Sequence, residues 1–209
     1  MAVTLQKIAP SDIEAESFRI IASELGKTSF DPSTFKVVQR VIHATGDFSF
    51  AENMRFAPGA VATGIEAIRS GKNILTDVNM VAAGISKALL KKFGGEVICK
   101  VADPGVAEAA KTSVTTRSEM AISMYLDDSI GIVAMGNAPT ALVQAIRTTS
   151  EMQGEHPLLV GVPVGFVNAA ESKDLLVEQN DCYITSLGRK GGSPVAAAII
   201  NALIRLAAK

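Results

Sequence analysis

Chemistry in this chain starts from one histidine and the helix that carries it. The run Asp31-Pro32-Ser33-Thr34-Phe35-Lys36-Val37-Val38-Gln39-Arg40-Val41-Ile42-His43-Ala44-Thr45-Gly46 opens on a residue type that caps helices. A proline follows, in the first turn where a missing N–H costs nothing, and a glycine suited to the C-cap closes the run. Phe35, Val38, Val41 and Ile42 recur at helical spacing and predict an apolar face. His43 then falls in the last turn, among carbonyls without intrahelical partners. The negative end of the helix dipole there favours imidazolium over imidazole, which suits a proton donor better than a metal ligand. The same position equally suits a histidine that caps the last carbonyls, and position alone leaves both roles open.

Other groups with chemical potential are few. Cys99 and Cys182 lie far apart with no CxxC pair, and His43 and His156 are the only histidines, so neither a disulfide framework nor a metal site is expected. No serine has an identifiable His–Asp partner set. Neither GxGxxG nor GxxxxGK followed by Ser or Thr occurs, which disfavours a dinucleotide or P-loop site.

The elements that must position these residues begin with Ser11-Asp12-Ile13-Glu14, which has the form of a capping box, opening a helix to about residue 25 with Ile13, Phe18, Ile21 and Leu25 as its buried stripe. Residues 47–53 alternate in character and read as extended, and a helix follows over 58–69. Apolar strands are then expected at 73–77, 96–101, 130–135, 158–162 and 182–186. Helices between them are expected at 78–93, from 103, and at 117–126, 139–152 and 168–179, with a last helix from Pro194. Continuous apolar strands alternating with helices predict an α/β fold: a three-layer domain, with a mostly parallel sheet of about five strands covered by helices on both faces. No linker or repeat divides the chain, so one domain over residues 1–209 is expected.

In such sheets ligands bind beyond the carboxyl ends of the strands, near the point where strand order reverses. That directs attention to Asp77-Val78-Asn79-Met80, Asp103-Pro104-Gly105, Gly136-Asn137-Ala138-Pro139-Thr140, Pro163-Val164-Gly165-Phe166-Val167-Asn168 and Gly188-Arg189-Lys190-Gly191-Gly192-Ser193-Pro194. Glycines and helix starts in these loops favour an anion-rich ligand. Asp127-Asp128 and His156 precede strands and fall at the wrong end.

Composition narrows the partners. Across 209 residues, 48% are hydrophobic and 20% charged, with a formal net charge of −1 and no long Lys/Arg run, so nucleic-acid binding is not expected. Charged residues interrupt every apolar stretch before it reaches membrane-span length. The first residues carry no secretory h-region, and a cytoplasmic location is expected.

Several segments together resemble the precorrin-8X methylmutase family, in particular its cobalt-precorrin-8 type. They are Ser17-Phe18-Arg19-Ile20-Ile21, Arg40-Val41-Ile42-His43-Ala44-Thr45-Gly46-Asp47-Phe48, Thr116-Arg117-Ser118, Gly136-Asn137-Ala138-Pro139-Thr140-Ala141-Leu142, Gly161-Val162-Pro163-Val164-Gly165-Phe166-Val167-Asn168-Ala169-Ala170-Glu171-Ser172-Lys173 and Gly191-Gly192-Ser193. The resemblance implies an isomerase of corrin-ring biosynthesis that moves a methyl group from C11 to C12 of a tetrapyrrole, giving cobyrinate, or hydrogenobyrinate from the metal-free substrate. It places the catalytic histidine at His43 and substrate contacts at Ser17, Arg40, Arg117, Asn137 and Thr140; the post-strand segment Asp77-Val78-Asn79-Met80, by its position alone, is a weaker candidate. The resemblance also implies no cofactor, no protein-bound metal, and a homodimer with the site near the subunit contact. The segment Gly46-Asp47-Phe48-Ser49-Phe50 departs from the metal-free-substrate pattern and favours a cobalt-containing substrate. Two further readings are a corrinoid carrier that holds the product without turnover and a nucleotide-using α/β transferase.

Overall fold

A computed structural model describes residues 7–179 and 182–209, so the N-terminal residues read for a leader lie largely outside the described residues. The chain runs α1 (Ile13–Leu25), α2 (Pro32–Thr45), α3 (Phe50–Asn53), β1 (Met54–Phe56), α4 (Ala60–Arg69), β2 (Asn73–Thr76), α5 (Asn79–Gly84), α6 (Lys87–Leu90) and β3 (Val97–Cys99). It continues with α7 (Pro104–Thr112), α8 (Arg117–Tyr125), β4 (Ile130–Met135), α9 (Pro139–Glu151), β5 (Leu158–Gly161), α10 (Ala169–Gln179), β6 (Tyr183–Ser186) and α11 (Ser193–Ala207).

The strands form one sheet in the order β1-β6-β5-β4-β2-β3. Every neighbouring pair is parallel except β1 with β6. From β2 the chain steps outward to β3, and from β4 it proceeds the opposite way through β5 to β6. The order therefore reverses between β2 and β4, and the crevice at their carboxyl ends is the switch point where ligands bind in doubly wound sheets.

Side-chain alternation covers both faces. Ile74, Ile132, Ala134, Leu158, Val160 and Ile184 pack with α2, α4, α5 and α11. Leu75, Val133, Met135 and Leu159 point the other way, against α8, α9 and α10. Adjacent residues of one strand thus serve two cores, which is why these strands read as unbroken apolar runs. Each large aliphatic side chain so buried contributes about 1.5–3 kcal/mol.

The expected mostly parallel sheet covered on both faces is present, with the short antiparallel edge β1 beside its five parallel strands. Several local expectations need correction. Residues 47–53 are not extended: Asp47 Oδ1 accepts the Ser49 N–H at 2.9 Å, an Asx turn that leads into α3, and the strand begins only at Met54. The helix expected over 78–93 is broken after Gly84, where the α11 side chain of Asn201 donates to the Gly84 carbonyl at 2.8 Å and accepts the Ser86 N–H at 2.8 Å. A Cβ on Gly84 would lie 2.7 Å from that of Ala197, so the glycine lets α5 approach α11. The capping box does not form either. Ser11 donates to Asp12, while Glu14 turns to Arg40, and Ile13 is 52% exposed rather than part of the stripe. Cys99 and Cys182 sit by strands four positions apart, about 19 Å at the usual strand spacing, beyond disulfide reach.

Candidate active site at the carboxyl edge of the sheet

His43 owes its place to the capping of α2. Asp31 accepts the N–H groups of Ser33 at 2.9 Å and Thr34 at 3.1 Å and also the Thr34 hydroxyl, and these bonds hold its carboxyl below the ordinary range. At the other end Gly46 takes φ 66° and donates to the Ile42 carbonyl at 2.7 Å, while the Thr45 hydroxyl caps that of Val41 at 2.9 Å. With these carbonyls taken, the exposed imidazole packs instead on Phe18, edge to face, with ring centroids 5.2 Å apart at 83°. Arg40, one turn earlier, places its guanidinium carbon 5.0 Å from the same ring centroid. It also bonds Glu14 at 2.9 Å, and holds that carboxyl below its usual value.

The turn after His43 is clasped to the loop that follows β6. Lys190 Nζ lies 2.6 Å from Asp47 Oδ2 and 3.0 Å from Ser49 Oγ, and the ammonium helps lower the Asp47 carboxyl to about 2. The Lys190 carbonyl accepts from Lys173 Nζ at 2.8 Å and from the Ser186 hydroxyl at 3.0 Å. Lys173 is fully buried, and burial brings its amine down to about 8. The same loop meets the one after β5: Gly192 donates to the Val162 carbonyl at 2.8 Å. At Gly191 a Cβ would collide with that carbonyl, so only glycine permits the approach.

The edge continues to the switch point. A Cβ on Gly136, after β4, would lie 2.8 Å from the Ser193 Cα, so these two loops also touch through backbone. Asp77, after β2, is fully buried and accepts the N–H groups of Gly136 at 3.2 Å, Asn137 at 2.8 Å and Ala138 at 2.8 Å. Burial raises its carboxyl and the three N–H bonds oppose that rise. Thr140 Oγ1 lies 2.8 Å from Thr116 Oγ1, and Thr116 caps α8, whose first residue is Arg117.

The six residues expected in the site therefore form two groups. Arg117, Asn137 and Thr140 gather at the switch point, joined through Thr116 and Asp77. His43, Ser17 and Arg40 gather around Phe18. In this second group the Ser17 hydroxyl donates to the Ile13 carbonyl at 2.9 Å. Arg40 lines a cavity of about 450 Å³ together with Lys36, Lys92 and Arg205. The clasp at Lys190 and the two glycine contacts tie the end of the His43 helix to the loops at the carboxyl edge, while the cavity beside Arg40 is lined by the far end of α11.

Comparison with known proteins shows the family of the chain. A family model described as precorrin-8X methylmutase matches residues 12–206. The chain belongs to the precorrin-8X methylmutase family. The cobalt-precorrin-8 methylmutase of Priestia megaterium is 44% identical over 201 residues, 96% of this chain and 89% of that one. That of Salmonella typhimurium is 41% identical over 202 residues, 93% and 94% of the two chains. The precorrin-8x methyl mutase structure from Thermus thermophilus matches with a TM-score of 0.85 at 43% identity, covering 95% of this chain and 96% of the other.

Within this family member, sequence reasoning missed the residues that connect these loops and helices to one another. Phe18 was expected only as core, and Asp77 turns inward to the loop after β4 instead of outward to a ligand. Lys190 is expected only as one residue of the loop after the last strand, not as a tether for the His43 helix. The usable signal was position: each of Asp77 and Lys190 follows a strand at its carboxyl end.

Proposed function

We propose that this chain is the isomerase that moves a methyl group from C11 to C12 of cobalt-precorrin-8 to give cobyrinate, with His43 donating a proton or hydrogen bond to the ring-C region. The observation that carries this reading is the continuous edge on which the end of the His43 helix meets the loops after β2, β4, β5 and β6. The bond from the methyl carbon to C11 breaks as that to C12 forms, so no methyl donor, electron acceptor or other cofactor is consumed. Withdrawal of electron density from ring C by the imidazole eases the migration.

The substrate's acetate and propionate arms are anionic while the chain carries a net charge of only −1, so attraction must be local. Arg117, Asn137 and Thr140 serve the arms at the switch point, and Ser17 and Arg40 serve them beside Phe18. A cobalt-containing substrate is favoured because the curated relatives at 44% and 41% identity carry that name and the segment Gly46-Asp47-Phe48-Ser49-Phe50 departs from the metal-free-substrate pattern. The whole chain acts as one domain, in the cytoplasm, as a homodimer. Phe166 and Val167, 84% and 79% exposed in the loop after β5, support a second copy covering that edge.

The deciding experiment incubates wild type and His43→Ala with cobalt-precorrin-8, without added cofactor, and follows the absorption spectrum. Wild type should convert the substrate, and the variant should be slower by about 10²–10⁴-fold while still binding product. Equal conversion by both would return His43 to a helix cap. Binding by wild type with no conversion would favour the corrinoid carrier.

A further inference from the structure

Asp77 is a buried carboxylate with no described cation bonded to it, at the point where the strand order reverses. Burying an anion is costly unless hydrogen bonds satisfy it, and here three backbone N–H groups do so. Those N–H groups belong to Gly136, Asn137 and Ala138, immediately before the 13-residue helix α9. In doubly wound folds this is the place where N–H groups hold the anionic part of a ligand. Here the chain's own side chain fills it. The two carboxylate oxygens accept all three donors, whereas an amide would turn an NH₂ against one of them, and an apolar residue would leave all three unpaired.

We infer that Asp77 is a positioning residue of the active site: its carboxylate occupies the N–H cradle at the switch point and so fixes the segment 136–140, which presents Asn137 and Thr140 to the substrate's carboxylate arms. This rests on the methylmutase reading given above. A phosphate has no access to these N–H groups, in keeping with the missing nucleotide fingerprints, and the substrate's anionic arms are left to Arg117, Asn137 and Thr140. Asp77 touches no substrate and acts through the loop alone.

The test is Asp77→Ala, assayed for turnover and for binding of the corrin product by absorbance titration, with and without formate as a carboxylate small enough for the vacated space. KM and the product Kd should both rise about tenfold or more, the scale set by losing hydrogen bonds to a charged group, while kcat stays within about threefold. Formate should restore most of the lost affinity. Unchanged affinity in the folded variant, or formate that restores the melting temperature without restoring affinity, overturns the inference. Should Asp77→Ala not fold, Asp77→Asn decides: weakened product binding with kcat retained supports positioning, and wild-type binding overturns it. Wild type that neither binds nor converts the macrocycle is instead a failure of the methylmutase reading, seen before any variant is compared.

Discussion

Phe18 holds His43 edge to face at 5.2 Å while Arg40, from the same helix as His43, lies 5.0 Å from the same ring centroid. The imidazole is thus oriented by a ring from α1 that is itself fixed by a guanidinium bonded to Glu14. An aromatic pair of this kind is worth about 0.5–1.5 kcal/mol beyond the area it buries. Phe18→Leu keeps most of the volume and removes the ring. Its kcat should fall by about two- to tenfold with KM within about twofold, read from single-substrate kinetics. An unchanged kcat in the folded variant would mean that His43 takes its orientation from elsewhere.

Lys190 fastens the turn after His43 to the sheet, and Asp47 is its partner. The pair is largely exposed, so Lys190→Ala should cost less than about 1 kcal/mol of stability, and less still at high salt. Its effect on turnover should be larger than its effect on melting, because the end of the His43 helix loses its tether. The pH dependence has a definite sign. The folded carboxyl of Asp47 sits at about 2, below the ordinary 3.8, so its stabilisation is present above that ordinary value and is lost as pH falls toward 2. Urea melts of wild type and Asp47→Asn at neutral pH and near pH 2.5 should differ at the first, with the gap clearly narrowed at the second.

Much of this arrangement was legible because it is local. Asp31, Pro32 and Gly46 mark the ends of α2 by types that act within a few residues, and the apolar strands declare a sheet covered on both faces. What escaped was long-range. Nothing near Gly84 announces that Asn201 will take both backbone groups freed by a helix break, and nothing near Glu14 announces that Arg40 will draw it from its cap. The site divides the same way. The helix bearing His43 could be placed, and so could the loops after the strands. The bonds that unite them join Asp47 to Lys190 and Asp77 to Asn137, pairs separated by many residues and visible only after folding.

Thr140 and Thr116 tie α9 to α8 through their hydroxyls at 2.8 Å, beside Arg117. Thr140→Val preserves shape and removes the bond, and a typical net hydrogen bond contributes about 1 kcal/mol. If this bond sets the spacing between Arg117 and Asn137, KM for the macrocycle should rise about fivefold with kcat little changed. Thr116→Val, which also removes the α8 cap, should raise KM in the same direction, and the double variant should fall short of the sum of the two single losses. Additive losses would show that the two hydroxyls act on the substrate separately.

Lys173 also makes stability rise with pH, but in an alkaline window and by removal of a burial cost rather than by gain of an ion pair. Its amine is fully buried and donates to the Lys190 carbonyl, and burial brings it to about 8 from the ordinary 10.5. Between those two values the unfolded chain binds more protons than the folded one, so the contribution of this lysine makes stability rise as pH increases through that window. Below about 8 the cost of burying the charge is fully present, and above the ordinary value it is gone. Lys173→Met fills a similar volume, and the Lys190 carbonyl keeps the Ser186 hydroxyl as a partner. The variant should therefore be at least as stable as wild type at neutral pH, by no more than about 2 kcal/mol once solvent screening is discounted. Denaturation series from pH 7 to 11 should show the gap between the two closing above pH 8. A gap that stays constant across the window would mean that the buried amine is already neutral, or remains charged throughout, in the folded protein.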